Sequence, residues 1–232
     1  MAMIRLHQWE MSPFCTKVRR SLRHKGLAFE VENYNGLKAR HAVKLTPVGT
    51  LPVLEYDGER IVDSAAIAAF LDRKHPDPPL YPRDPEERAR ARFWEDWAGE
   101  SLYFFEVHFR MLDPVALEKA LDLITEGRPS YERALLKVIF KRRYPAKLKS
   151  QGLGRLTSDE VDRKFFGHLD DLEAILAKHA WLVGAAPSVA DISVGSQLDE
   201  MVRTSRHADR ILGYPKIRAW LAALDGATPA AK

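Results

Sequence analysis

The spacing of apolar and polar residues changes character near residue 76: before it strand and helix periods alternate, and after it only helix periods remain. Residues 3–9 (MIRLHQW) and 28–34 (AFEVENY) mix the two classes at strand period, the second with Phe29 and Val31 on one face and Glu30 and Glu32 on the other. A helix with legible ends lies between them. Ser12 suits the N-cap, Pro13 the first helical position, Val18 and Leu22 repeat four apart, and Gly26 stops it. So compact a strand-helix-strand unit predicts a parallel pair with a right-handed crossover. VLEYDGERIV predicts a hairpin turning at Asp57-Gly58, and Asp63-Ser64 opens a helix that Pro76 ends. The expectation is a four-stranded mixed sheet with helices packed on it.

The segment HPDPPLYPRDP, with Pro76, Pro78, Pro79, Pro82 and Pro85, interrupts any helix or strand and marks a boundary. It divides the chain into an α/β domain at 1–75, a proline-rich linker at 76–84 and an all-α domain at 85–232. Pro85, followed by Glu86 and Glu87, starts one long helix over 85–112 that carries Phe93, Trp94, Trp97, Tyr103, Phe104, Phe105 and Phe109. Further helices are expected at 114–126, 129–145, 158–178, 188–205 and 214–224, with a frayed tail from Asp225.

Composition narrows the class. With 46% hydrophobic and 29% charged residues in 232, the chain must bury a core, which excludes disordered and collagen-like classes. The longest uninterrupted apolar stretch, Ala65 to Leu71, is far short of a membrane span, which takes about 20 residues. The N-terminus lacks a hydrophobic signal region, so a cytoplasmic protein with no membrane partner is expected. The net charge of +4 resides in residues 1–75; the remainder is balanced. One cysteine, Cys15, excludes an internal disulfide framework, and the eight histidines form no i, i+4 pair, so no metal site is expected. Gly152 and Gly154 lack the third glycine of a dinucleotide loop and no GK[ST] string occurs, so no nucleotide is expected. The basic run from Lys137 to Arg155 contains no acidic residue; a solvated face explains it better than a nucleic-acid surface, because no recognised motif accompanies it.

The chemistry that remains sits at Ser12-Pro13-Phe14-Cys15, where a helix starts directly off a strand. A helix N-terminus carries partial positive charge and unpaired N–H groups, and so stabilises a thiolate from the protein or from a ligand. A plain N-cap at Ser12 and a buried, inert Cys15 are the structural alternatives.

SPFCTKVRRSL after a first strand, then TPVGTLPVLEYDGERIVDSAAIAAFLD, a proline-rich linker and a helical region with SVAD before a late helix together resemble the cytosolic glutathione transferase superfamily. The likeness implies a thioredoxin-like N-terminal domain and an all-helical C-terminal domain with a hydrophobic substrate pocket. It implies glutathione as cosubstrate, a small hydrophobic electrophile and a homodimer. Leu51-Pro52 matches the cis-proline turn at which an extended glutathione pairs with the Leu51 backbone. Asp63 and Ser64 match the acidic-Ser pair that holds the γ-glutamyl end, and Lys38 falls where omega-like members place a lysine for the glycyl carboxylate. Ser188 to Asp191 resembles the family's structural capping box. Ser12 stands where glutaredoxin-like members carry a nucleophilic Cys, and Cys15 where a second thiol lies. The resemblance therefore implies a serine-type transferase, in which Ser12 stabilises the glutathione thiolate. A thiol reductase using Cys15, and a non-catalytic binding protein of this fold, are the alternatives. Helical spacing nominates Trp97, Ser101 and Phe105 for the electrophile pocket.

Overall fold

The computed structural model describes residues 2–229. Four strands, β1 (Ile4–Gln8), β2 (Glu30–Asn33), β3 (Val53–Tyr56) and β4 (Glu59–Val62), form one sheet in the order β2-β1-β3-β4. β1 runs parallel to β2, with Leu6 opposite Val31, and antiparallel to β3, with Leu6 opposite Leu54. The expected α/β domain is thus observed, a four-stranded mixed sheet of thioredoxin-like order. β2 is an outer strand that pairs only with β1, and its Val31 is exposed. The β3–β4 hairpin turns at Asp57 and Gly58, both at positive φ (49° and 87°), the conformation that a tight two-residue hairpin demands.

Helices α1 (Pro13–His24) and α2 (Ser64–Lys74) pack on each other, and Val18, Leu22, Ile67 and Leu71 join Leu6 and Leu54 in one fully buried cluster. Burying each such aliphatic side chain contributes roughly 1.5–3 kcal/mol. Lys25, just beyond α1, ties this domain to the linker: its buried ammonium donates to Asp72 Oδ1 (2.7 Å) and to the carbonyls of His75 (2.6 Å) and Pro78 (2.5 Å).

The expected single helix over 85–112 is interrupted. α3 (Pro85–Trp97) passes into a wide turn of π type at Ala98–Leu102 and then into α4 (Tyr103–Met111). Gly99 lies over Phe14 of α1, where an added Cβ would stand 3.6 Å from the ring. Such turns re-aim the side chains that follow: Phe105 and Phe109 enter the core, while Tyr103 packs on Phe14 with centroids 4.9 Å apart. α5 (Pro114–Ile124) and α7 (Ser158–Leu176) match their expected spans within a few residues. α6 (Ser130–Gln151) runs past Pro145, whose missing amide frees the carbonyl of exposed Lys141 to water. α8 (Val189–Thr204) runs through the centre and is buried along almost its whole length. The short α9 (Ala208–Leu212) was not legible in the pattern. α10 (Pro215–Ala227) runs past Asp225, and Thr228 is buried with its hydroxyl donating to the Leu224 carbonyl at 2.8 Å, so the expected fraying from Asp225 does not occur; residues 230–232 lie outside the described part.

The capping box at the head of α8 forms as expected. Asp191 accepts from the Ser188 amide (3.0 Å), the Leu182 amide (2.9 Å) and Trp220 Nε1 (2.9 Å), which fixes the segment before α8 and docks α10 on it.

Candidate active site

The loop Trp9–Ser12 between β1 and α1 is tied at every residue. The Trp9 amide donates to Cys15 Sγ at 3.4 Å, and the Ser12 amide donates to the Trp9 carbonyl at 3.0 Å. Arg19 reaches the Glu10 carbonyl at 3.3 Å, and Arg203 pairs with the Glu10 carboxylate at 2.8 Å. From the helical domain, Arg110 Nη1 donates to the Met11 carbonyl at 2.9 Å. Arg110 is a buried cation between two buried carboxylates, Glu106 one helical turn back on α4 and Glu200 on α8. Glu200 also accepts from Thr16 Oγ1 of α1 at 3.0 Å. Burial lifts the Glu106 carboxyl to about 7, the Arg110 charge opposing the rise.

Ser12 closes this loop and is 8% exposed. It occupies the N-cap position with extended backbone, yet its side chain makes no capping bond to the backbone amides of α1; within that helix it meets the Cys15 thiol instead. Cys15, one turn on, is wholly buried, and that burial pushes its thiol up to about 11 against the smaller pull of the Trp9 amide and the Ser12 side chain.

The start of α2 supplies the second group. Asp63 Oδ1 accepts from the amides of Ala65 (2.9 Å) and Ala66 (3.0 Å), an N-cap that leaves the other carboxylate oxygen without a helix partner. Asp63 has φ 77° and ψ 133°, a conformation that costs a non-glycine residue on the order of 1–3 kcal/mol and persists where the surroundings impose it. Ser64 beside it is buried. Leu51-Pro52 is cis at the head of β3, with Leu51 half-buried. Lys38 lies in a 3₁₀ stretch (Gly36–Lys44), pairs with Glu32 at 3.1 Å and stands 4.8 Å from the Tyr34 ring centroid. Glu132 of α6 fastens this stretch by accepting from the Leu37 amide at 2.8 Å; Gly36, at φ 62°, is required there because a Cβ would meet Glu132 Oε2 at 2.1 Å.

Asp63 and Ser64 line a cavity of about 410 Å³ that reaches Pro13, Phe14 and Lys17 of α1, Arg92 and Glu95 of α3, and Ser193 and Gln197 of α8. Ser12 adjoins it through Pro13 and Phe14, whereas Lys38 and Leu51 lie outside its walls. Lys17 is buried, its ammonium 2.6 Å from Glu95 Oε1, and Tyr81 donates to the same carboxylate at 2.9 Å. Lys17, Ser193 and Gln197 were missed from the sequence. Ser193 and Gln197 lie four apart on α8, a spacing shared by other buried polar residues of that helix such as Ser196 and Glu200, so nothing in the sequence marks them out.

The three residues nominated for an electrophile pocket are not brought together. Phe105 is 2% exposed and packs among Phe109, Phe165 and His168, which makes it core of the helical domain. Trp97 lines a separate groove of about 280 Å³ with Phe93, Trp94 and His168, and Ser101 lies half-buried in the wide turn and lines neither space. The aromatic groups that do approach the Trp9–Ser12 loop are Tyr103 on Phe14, and Phe140 on Trp9 at 6.1 Å, with Tyr144 beside Phe140. Lys147 donates to Tyr103 Oη at 3.2 Å. Among the described residues no helix is long and apolar enough to cross a membrane, and no group of three or more His, Cys, Asp or Glu is placed to hold a metal ion.

A thioredoxin-like sheet followed by helices, with a cis-proline turn and an acidic-Ser helix start beside the first helix, defines a class also found by comparison. The family model for the glutathione S-transferase N-terminal domain matches residues 6–79 and that for the C-terminal domain residues 155–223. The chain belongs to the glutathione S-transferase family. A probable glutathione S-transferase from Nicotiana tabacum is 34% identical over 104 residues, 44% of this chain and 47% of that protein. Glutathione S-transferase Z1 from Arabidopsis thaliana is 40% identical over 91 residues, 37% of this chain and 41% of that protein, so each match spans less than half of the relative. Among solved structures, beta-etherase LigF from Sphingobium sp. strain SYK-6 superposes with TM-score 0.70 at 22% identity, covering 96% of this chain and 95% of that one. A glutathione S-transferase from Methylobacterium radiotolerans, in complex with glutathione sulfonate, gives 0.63 at 25% identity, covering 99% and 96%.

Proposed function

We propose that this protein is a glutathione transferase in which Ser12 donates a hydrogen bond to the thiolate of glutathione, readying it to attack a small hydrophobic electrophile. The observation that carries this reading is a Ser at the N-cap of α1 that does not cap it, next to the cavity where Asp63 and Ser64 stand. The glutathione backbone would run past Leu51, pairing with its main chain. The free oxygen of Asp63 would take the γ-glutamyl ammonium, and Ser64 with the N-terminal amides of α2 its carboxylate. Lys38 would exchange Glu32 for the glycyl carboxylate. With the sulfur at the positive end of α1, the thiolate is stabilised by the helix and by the Ser12 O–H. It then forms a carbon–sulfur bond while the leaving group departs with the bonding electron pair. The aromatic wall of Phe14, Tyr103, Phe140 and Tyr144 is the surface against which the electrophile would lie. The Methylobacterium relative, in its complex with glutathione sulfonate, supports a glutathione site in this fold.

A reductase working through Cys15 is disfavoured, since that thiol is wholly buried and held in its protonated form at neutral pH. The test is Ser12→Ala with a chromogenic aryl halide. Turnover falls about 100-fold, as for loss of one donor to a developing or resident anion, while retention on immobilised glutathione is kept. Unchanged turnover would reduce Ser12 to a structural residue, and no retention of the wild-type protein would favour the non-catalytic reading. Light scattering of the purified chain checks the homodimer expected for the family.

A further inference from the structure

We propose that the outward face of α6 docks on the anionic surface of a phospholipid bilayer, holding the protein peripherally at a membrane. This goes beyond the glutathione reading, does not depend on it, and revises the expectation of no membrane partner.

α6 carries two apolar stripes where one would seat it on the fold. Leu136, Phe140 and Leu148 are buried. Turned away from them, Tyr131, Leu135, Val138 and Ile139 are 64%, 45%, 50% and 37% exposed. At about 100° per residue these side chains fall within one strip about 100° wide, the width of the apolar face by which a helix normally packs on a core. Single apolar residues scattered over a surface need no explanation, but a row of them along one helix is a patch of the kind that marks an interaction surface. Val138 and Ile139 are also weaker helix formers than the long polar residues that suit an exposed position.

The charges of α6 change along its length. In the N-terminal half they are neutralised within the protein: Arg133 meets Glu118 and Asp122 at 2.7 Å each, and Lys137 meets Glu118. Beyond Val138 this stops. Lys141, Arg142, Arg143 and Lys149 are exposed and enter no ion pair among the described residues. Lys141 and Arg143 flank the strip on its two edges, and Arg142 and Lys149 continue it. The stretch fastened to the first turn of α6 through Leu37 and Glu132 repeats this composition: no acidic residue occurs from Asn35 to Leu54, and Arg40, Val43, Lys44 and Val48 are exposed.

An aliphatic strip edged by cations matches the layering of an anionic membrane surface, where apolar side chains enter the acyl boundary and long basic side chains reach the headgroup phosphates. A solvated face explains the cations but not the strip, and nucleic acid would pair with the cations while leaving the strip in water. A second copy docking through the same face would set like charge against like, because such a contact joins a patch to itself. Protein interfaces favour aromatic residues, Met and Arg and are poor in Lys, whereas this face is mainly aliphatic and half of its unpaired cations are lysines.

The test is flotation of the intact protein with vesicles of phosphatidylcholine alone and of phosphatidylcholine and phosphatidylglycerol in equal parts. The protein floats with the anionic vesicles and not with the neutral ones, and raised salt releases it. Arg142→Gln with Lys149→Gln weakens binding about 30-fold, from about fivefold for each cation held near an anionic surface. Leu135→Gln with Val138→Gln weakens it about 10-fold or more without lowering the melting temperature, because both side chains are already exposed. Unchanged binding in both double variants overturns the assignment to α6, and equal binding to neutral and anionic vesicles overturns the recognition of an anionic surface. A wild type that floats with neither overturns the proposal outright; self-association lost in the Leu135 and Val138 variant would then give the face to a second copy, and salt-sensitive binding to polyglutamate lost in the Arg142 and Lys149 variant would give it to an acidic protein.

Discussion

The buried triad Glu106, Arg110 and Glu200 sets one cation against two carboxylates beneath the Trp9–Ser12 loop, and its protonation is open to a direct test. Glu106 ordinarily titrates near 4.5 and burial raises it to about 7, with Arg110 opposing the rise. The sign follows from which state holds the proton. Below 4.5 the group is protonated in both the folded and the unfolded chain and has no effect on stability. From 4.5 to about 7 the unfolded chain releases the proton while the folded chain keeps it, so stability falls as pH rises, and above about 7 the loss is complete. One pKa unit is worth 1.36 kcal/mol, so these two values correspond to about 3 kcal/mol. Glu106→Gln keeps the volume and an acceptor for Arg110 but cannot ionise. Relative to wild type the variant should gain about 3 kcal/mol between pH 4.5 and pH 8, read from urea unfolding at pH 4.5, 6 and 8. Every other titrating group cancels in that difference. A difference that stays flat with pH would show that Glu106 is ionised throughout, and one that falls with rising pH would show that the Arg110 pair outweighs burial; either refutes the reasoning.

Arg110→Met should destabilise the fold by about 3–5 kcal/mol, because it strands two buried carboxylates and frees the Met11 carbonyl; the double variant with Glu106→Gln, measured by the same urea titration, should recover part of that loss. Lys25→Met removes two bonds to the end of α2, at Asp72 and His75, and one to the linker, at Pro78, and should cost about 3 kcal/mol or more, with faster proteolysis near residues 76–84 than in wild type. Asp191→Ala orphans the Leu182 amide, the Ser188 amide and Trp220 Nε1, and should lower stability by about 3 kcal/mol, visible as a drop in melting temperature. Asp63→Asn keeps an oxygen for the α2 amides but loses the charge, so retention on immobilised glutathione should weaken about 10-fold, as for a charge-assisted bond made neutral, while the melting temperature stays near wild type.

What could be read from the chain were interactions between residues near in sequence. Ser12-Pro13, Asp57-Gly58, Asp63-Ser64 and Ser188 to Asp191 each act over at most four positions, and each reappears at an element boundary. Alternation puts Phe29 and Val31 on one face of β2 but does not say how far that face is covered, which is a property of sheet order rather than of the strand. The long aromatic helix was misjudged for a similar reason. Nothing in residues 85–112 announces that α1 will press Phe14 against Gly99, yet that contact accompanies the wide turn that sends Phe105 inward and Tyr103 toward the loop. The polar groups around the candidate site are more remote still: Thr16 meets Glu200 across 184 positions, and Arg110 meets Met11 across 99. Their pairing depends on two domains closing over α1. A short helix start can be recognised locally, but the bonds that fix the loop before it, from Arg110 to the Met11 carbonyl and from Arg203 to Glu10, come from the helical domain. On the role proposed for Ser12, substitutions in α4 and α8 that never touch the ligand should therefore alter its behaviour through Met11.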